Sequence, residues 1–186
     1  MNLGFIGTGN IVSDVVTGIV NSKFSYNKII ISPRNKKKAK YLKKKFKRIV
    51  IAKDNQAVID LSDWIFLGVL PQVGENILPK LKFKKNQTVV SFMSTTNYSK
   101  LKRLIGKKAN IVRAIPMPPI RLCKGPVAIF PPNRKIKNFF NNIGTTIEIK
   151  NEKLSKNFWA ISGTMASFYE LLNVLSNWLI KNKINK

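Results

Sequence analysis

The sequence predicts an α/β protein built on a doubly wound, mainly parallel sheet and followed by a C-terminal helical segment. Three observations carry this expectation. Short apolar runs alternate with helical patterns through the first half of the chain. A glycine-rich turn, Gly7-Thr8-Gly9-Asn10-Ile11-Val12, joins the first apolar run to the first helical pattern. The chain of 186 residues suits one domain with an appendage.

Each element has its own signal. Leu3–Ile6 is apolar and short, as a buried strand should be. Asn10–Asn21 places Ile11, Val12, Val15, Val16, Ile19 and Val20 at helical spacing. Lys28–Ile31 reads as the second strand. Asn35–Lys47 reads as an amphipathic helix with Ala39, Leu42 and Phe46 on one face and lysines around the rest. Ile49–Ala52 is the third strand, and Asp54 can cap a short helix through Ile59. Trp64–Val69 and Thr88–Phe92 are the fourth and fifth strands. Strands separated by helical patterns argue for βαβ units. Asn110–Ala114, Pro126–Phe130 and Thr145–Ile149 are expected as additional strands, with proline-rich stretches between them. These elements set a boundary near residue 150, with a first domain over 1–150 and a helical segment over 151–186.

That last segment is unlike the rest. Leu154–Ile180 contains no proline and reads as one helix. Phe158–Ile180 carries a single charge, Glu170, and is long enough to cross a bilayer. Its Ser162, Thr164, Ser167, Asn173, Ser176 and Asn177 penalise insertion, so no membrane partner is expected. Its apolar residues exceed one stripe, which points to a protein partner, a second copy of the chain.

Composition excludes several chemistries. The chain has no His and one Cys, Cys123. It therefore has no His/Cys zinc site, no Cys–His pair, no Ser–His–Asp triad and no internal disulfide, and no metal is expected. The lone Cys and the absence of a recognisable leader favour a cytoplasmic location. Lys and Arg total 34 against 8 Asp and Glu, a formal net charge of +26. Abundant Lys, Ile and Asn are also what A/T-rich codons produce, so drift and function both account for the charge. A basic field attracts phosphates and anionic substrates. The lysine helix offers only Tyr41 and Phe46 for base stacking, so no specific nucleic-acid partner is expected, and a basic nucleic-acid-associated protein is a minor alternative.

The glycine turn carries the chemistry. Gly7 permits a tight turn off the strand. Gly9 lets the backbone approach a pyrophosphate, and the following helix aims its N–H groups at that anion. Gly7, Thr8, Gly9, Asn10 and Ile11 are therefore candidate cofactor contacts. Val12 departs from the small residue usual at the third position of such a dinucleotide-binding Rossmann fingerprint, and its bulk should push helix and strand apart. The second strand ends in Ser32-Pro33-Arg34-Asn35-Lys36, and no acidic residue lies between Asp14 and Asp54. An acid there would read the 2′-hydroxyl of NAD. Ser32, Arg34, Asn35 and Lys36 suit the 2′-phosphate of NADP instead, so NADPH is expected to be preferred over NADH.

With these motifs in order, the sequence resembles the pyrroline-5-carboxylate reductase family. Leu3-Gly4-Phe5-Ile6-Gly7-Thr8-Gly9-Asn10 resembles the family's opening, and Ser32-Pro33-Arg34-Asn35 its cofactor-reading turn. Asp63–Gln72, Val112-Arg113-Ala114-Ile115-Pro116 with Pro119, and Ala160–Thr164 resemble later family segments. The resemblance implies a Rossmann domain, a helical dimerisation domain, and NAD(P)H-dependent reduction of a cyclic imine, 1-pyrroline-5-carboxylate, to L-proline. It also implies cofactor contacts at Val69, Pro71 and Ser91, and substrate contacts at Ser162, Gly163 and Thr164. Departures fall on the nicotinamide and substrate side. Leu70 and Met117 replace a family Lys and Asn, Ser94-Thr95 replaces a small pair, and Met165-Ala166 replaces Gly-Pro. The chain reads as a short, divergent member lacking much of the helical domain. A catalytically impaired dinucleotide-binding module and another β-hydroxyacid-dehydrogenase-like reductase are the alternatives.

Overall fold

A computed structural model describes residues 1–184; the side chains of Lys156, Trp159, Ile161 and Ser162 also lie outside the described residues. The chain divides into two compact units, Met1–Glu152 and Lys153–Lys186. In the first, β1 (Leu3–Ile6), α1 (Asn10–Asn21), β2 (Ile29–Ile31), α2 (Lys36–Lys45), β3 (Ile49–Ile51), α3 (Asn55–Asp60) and β4 (Trp64–Leu67) follow the expected alternation. Then come α4 (Pro71–Ile77), β5 (Thr88–Ser91), α5 (Tyr98–Ile105), β6 (Asn110–Pro116), β7 (Pro126–Phe130), α6 (Arg134–Phe140) and β8 (Thr145–Glu148).

The eight strands form one sheet in the order β3-β2-β1-β4-β5-β6-β7-β8. All neighbours pair in parallel except β6 and β7. The order reverses at β1, so β1 and β4 diverge there into helices on opposite faces, which leaves a crevice at their C-terminal ends.

Strand periodicity explains the two buried faces. Leu3, Phe5, Ile29, Ile31 and Phe66 point into one core with α1 and α6, whereas Ile6, Ile30, Ile65 and Leu67 point into the other with α3 and α5. Alternate residues serve opposite faces, so both faces need apolar cover and the strands read as continuous apolar runs. The first core is aromatic. Phe5 stacks on Phe66 with ring centroids 4.6 Å apart, and Phe139 of α6 meets Phe66 at 5.3 Å and Trp64 at 5.6 Å. Each such buried ring contributes roughly 1.5–3 kcal/mol.

The cap expected at Asp54 forms, and the structure adds one at Asn35. Asp54 accepts from Ala57 N at 2.8 Å and Asn35 from Lys38 N at 3.1 Å. Three helices, α4, α5 and α6, were not anticipated by hydrophobic periodicity; each is 7 or 8 residues long. The expected single helix over Leu154–Ile180 is instead two, α7 (Ser155–Gly163) and α8 (Met165–Lys181). The break follows Gly163, which costs about 1 kcal/mol relative to alanine inside a helix, and Thr164 O then accepts from Phe168 N to start α8. No helix among the described residues is long and apolar enough to cross a membrane.

Candidate functional site

The crevice beyond β1 and β4 is built by the glycine turn. Gly7 has φ +101°, a conformation that side chains rarely adopt, and a Cβ on it would lie 2.4 Å from the Gly68 carbonyl oxygen. That approach is fixed because Gly68 N donates to Ile6 O at 2.9 Å, so the turn rests directly on the end of β4. Gly9 is different. Its backbone is extended at the N-cap of α1, and a Cβ there would come no nearer than 4.0 Å to that same oxygen. No side chain caps α1 and no acid lies in its first turn, so its leading N–H groups are open to an anion.

Val12 does not push helix and strand apart as the sequence suggested. It is fully buried, and a Cβ added at Gly68 would sit 2.0 Å from its Cγ2. The methyls of Val12 fill the room left by a glycine on β4's side, so the small residue of the fingerprint has moved to the facing chain.

The second element of the crevice is the turn after β2. Ser32 is buried, and its hydroxyl accepts the Gly7 N–H at 2.9 Å. Ser32 thus ties the β2 turn to the glycine turn while its own proton remains available to the crevice it lines. Arg34, Asn35 and Lys36 line the opening together with Gly7, Thr8, Gly9, Gly68, Val69, Leu70 and Val73, around a cleft of about 580 Å³. An adjoining cavity of about 230 Å³, sharing Gly7, Arg34, Val69 and Val73, continues past Ser32 to Asn55, Asn76 and Ile77. No acidic residue lines either one among the described residues.

Seven of the expected cofactor residues therefore meet in one crevice: Gly7, Thr8, Gly9, Ser32, Arg34, Asn35 and Val69. Asn10 opens α1, and its side chain accepts from the Lys38 ammonium. Ile11 packs against the first core, and Pro71 opens α4 without lining the cleft. Ser91 is fully buried and its hydroxyl accepts from Met93 N at 3.2 Å, so it braces the end of β5 rather than lining the cleft. Gly163 and Thr164 fall at the junction of α7 and α8, in the second unit. The Ser162 side chain lies outside the described residues.

Residue patterns missed Asn55, Val73, Asn76 and Ile77. The last three follow i, i+3, i+4 spacing, one face of α4, which was readable once Pro71 was taken as a helix start. Asn55 carried no signal beyond following the cap Asp54. Arg113 of the Val-Arg-Ala-Ile-Pro segment is buried and pairs with Glu152, and its Nη2 donates to Ser94 O at 2.7 Å. Glu152 also accepts from Tyr98 N at 2.7 Å, so this pair fastens the β5–α5 loop.

The residues present fit a dinucleotide. An uncapped helix start receives a pyrophosphate, the Thr8 hydroxyl is buried without a partner among the described residues, and two cations flank the turn where a 2′-phosphate would lie. The fold is of Rossmann type, and the crevice lies where domains of that type bind dinucleotides. The chain belongs to the NADP oxidoreductase, coenzyme F420-dependent family, whose model matches residues 2–95. Its relatives are pyrroline-5-carboxylate reductases, as the motif resemblance implied. That of Synechocystis is 25% identical over 92% of this chain and 67% of its own length, and that of Staphylococcus saprophyticus 27% identical over 90% and 65%. The chain spans about two thirds of the length of these curated relatives. Among solved structures, the Streptococcus pyogenes 1-pyrroline-5-carboxylate reductase superposes with a TM-score of 0.82 at 24% identity, over all of this chain and 72% of that one. The Plasmodium falciparum pyrroline carboxylate reductase, solved with NADP bound, gives 0.76 at 22% identity over all of this chain and 71% of that one.

Proposed function

We propose that this chain is an NADPH-preferring reductase that converts 1-pyrroline-5-carboxylate to L-proline. The observation that carries the reading is the meeting, in one acid-free crevice, of the Gly7-Thr8-Gly9 turn with Arg34, Asn35 and Lys36. Bound NADPH supplies a hydride for the imine carbon, so the reaction asks the protein for position and charge rather than for a nucleophile. Gly9 and the open start of α1 hold the pyrophosphate. Arg34 and Lys36 receive the 2′-phosphate, with Ser32 offering its hydroxyl proton beside them. Asn55 and Asn76 offer polar edges deeper in the cavity, and Val69, Val73 and Ile77 exclude water there. The test is NADPH oxidation by the purified protein with and without pyrroline-5-carboxylate. Imine-dependent oxidation supports the proposal, and tight NADPH binding without oxidation supports a non-catalytic dinucleotide-binding module. That second reading is favoured by Leu70, exposed at the rim of the cleft where the resemblance places a lysine.

Cofactor preference is testable at one residue. A charge-assisted phosphate contact contributes about 1.5–3 kcal/mol. Arg34→Ala is therefore expected to weaken NADPH by roughly ten- to a hundredfold and NADH by little. Equal affinity of the unmodified protein for both nucleotides would refute the preference.

The helical segment is proposed to pair two copies. α8 exposes Phe168, Leu171, Leu172, Leu175 and Trp178, an apolar surface larger than a soluble helix normally leaves to water. A two-fold pairing would bury the same face on both copies. The double change Leu172→Asp with Leu175→Asp is expected to release monomers or aggregates and abolish imine reduction while NADPH binding persists. A stable monomer in sedimentation of the unmodified protein would refute the pairing.

A further inference from the structure

We propose that Lys38 is a phosphate ligand blind to the 2′-phosphate: when a dinucleotide enters, its ammonium passes from Asn10 to the pyrophosphate that NADH and NADPH share. The proposal rests on the dinucleotide reading above and adds a residue and a division of labour to it. Lys36 and Lys37 of α2 are exposed, but Lys38 is half-buried and reaches back across to α1. Its Nζ donates to the side-chain oxygen of Asn10, the first residue of α1.

That position is electrostatically unfavourable in the free protein. The start of α1 carries the positive end of the helix dipole, about half an elementary charge. Lys38 is held there by a neutral amide oxygen, and among the described residues it has no carboxylate within 4.0 Å. Asp14, one turn further along α1, feels both Arg121 and Lys38. Burial raises its carboxyl above the usual range, and among the described residues it forms no ion pair with Lys38 within 4.0 Å. A second observation points to the same missing anion. The Thr8 hydroxyl, two residues before Asn10 in the turn that lines the cleft, is buried and has no partner among the described residues. An anion at the mouth of α1 would answer the open N–H groups, the Thr8 hydroxyl and the Lys38 ammonium together. In this fold the pyrophosphate occupies that place, whereas the 2′-phosphate lies at the end of β2, beside Arg34 and Lys36. Asn10 is then a positioning residue that stations the ammonium before the nucleotide arrives.

The experiment is titration of the full chain with NADPH and, separately, with NADH, for the unmodified protein and for Lys38→Met, Asn10→Ala and the double variant. Thermal unfolding is measured without nucleotide. Lys38→Met is expected to weaken both nucleotides by the same factor, about tenfold or more, leaving their ratio unchanged. The melting temperature of the free protein should hold or rise, since a cation has been removed from a positive helix end. Asn10→Ala should cause a smaller, equal loss for both nucleotides, and no further loss once Lys38 is gone. Unchanged affinities in Lys38→Met would overturn the proposal. A loss confined to NADPH would overturn it too, by assigning Lys38 to the 2′-phosphate. A lower melting temperature with unchanged binding would make the Lys38–Asn10 contact a structural link between α1 and α2. If the unmodified protein binds neither nucleotide, the dinucleotide reading itself fails, an outcome distinct from all of these.

Discussion

Gly9→Val is expected to leave the protein folded and to reduce dinucleotide affinity by more than about a hundredfold, whereas Gly7→Ala is expected to destabilise the fold itself. The two glycines sit two residues apart and face the same Gly68 carbonyl oxygen, yet at very different distances. A Cβ on Gly7 would meet the Gly68 backbone oxygen at 2.4 Å, and backbone cannot swing aside as a side-chain end can. Its φ of +101° adds a conformational cost of about 1–2 kcal/mol for a residue with a Cβ. Overpacking typically adds about 1–3 kcal/mol. A Cβ on Gly9 meets no protein atom closer than 4.0 Å, so the fold tolerates it. Its cost appears only when a pyrophosphate must approach, where two or more charge-assisted contacts of about 1.5–3 kcal/mol each would be lost. Circular dichroism melts and NADPH titrations separate the outcomes. Retained binding in Gly9→Val would reduce the glycine turn to a structural feature.

The second large effect concerns Val12 and Gly68. Gly68→Ala forces a methyl to within 2.0 Å of the stiff, fully buried Val12 side chain and should cost about 1–3 kcal/mol. In a protein of this size that lowers the melting temperature by roughly 2–4 °C for each kcal/mol. Val12→Ala alone should also destabilise, by removing buried methyls. The double variant should be more stable than the two single losses predict, by about 1–2 kcal/mol, because the new methyl takes the space that valine leaves. Strict additivity in melts of the four proteins would show that the two residues do not share that space.

This pair illustrates how far the sequence could be read. The alternation of strands and helices was legible because each strand is buried on both faces and each long helix carries an apolar stripe, so the core residues Leu3, Phe66, Val15 and Leu42 announce themselves. The glycine turn and the Arg34 turn were legible because backbone geometry and phosphate chemistry demand particular residues at fixed spacing. Val12 looked like a defect for want of its partner, since Gly68 is 56 residues away in the chain and only the β1–β4 pairing brings them together. The same holds for Ser32, which was expected as a phosphate ligand and is found holding the Gly7 N–H. Asn55 and Asn76 were invisible for another reason: a lone asparagine is chemically compatible with any exposed turn, and only the fold decides that it faces a cavity. Short α4, α5 and α6 offer too few turns for periodicity to rise above chance.

The central place of β1 sets how the sheet can assemble. Leu3 pairs with Ile29 on one side and with Trp64 on the other, so the first strand of the sequence lies inside the sheet and one of its two partners lies about sixty residues downstream. Until that long loop closes, Leu3-Gly4-Phe5-Ile6 presents an open, apolar strand edge, and the Gly7 turn has no Gly68 carbonyl to rest against. Closing such loops delays folding and prolongs the interval in which unpaired edges can join other chains. The crevice and the closing of that loop thus depend on the same strand pair.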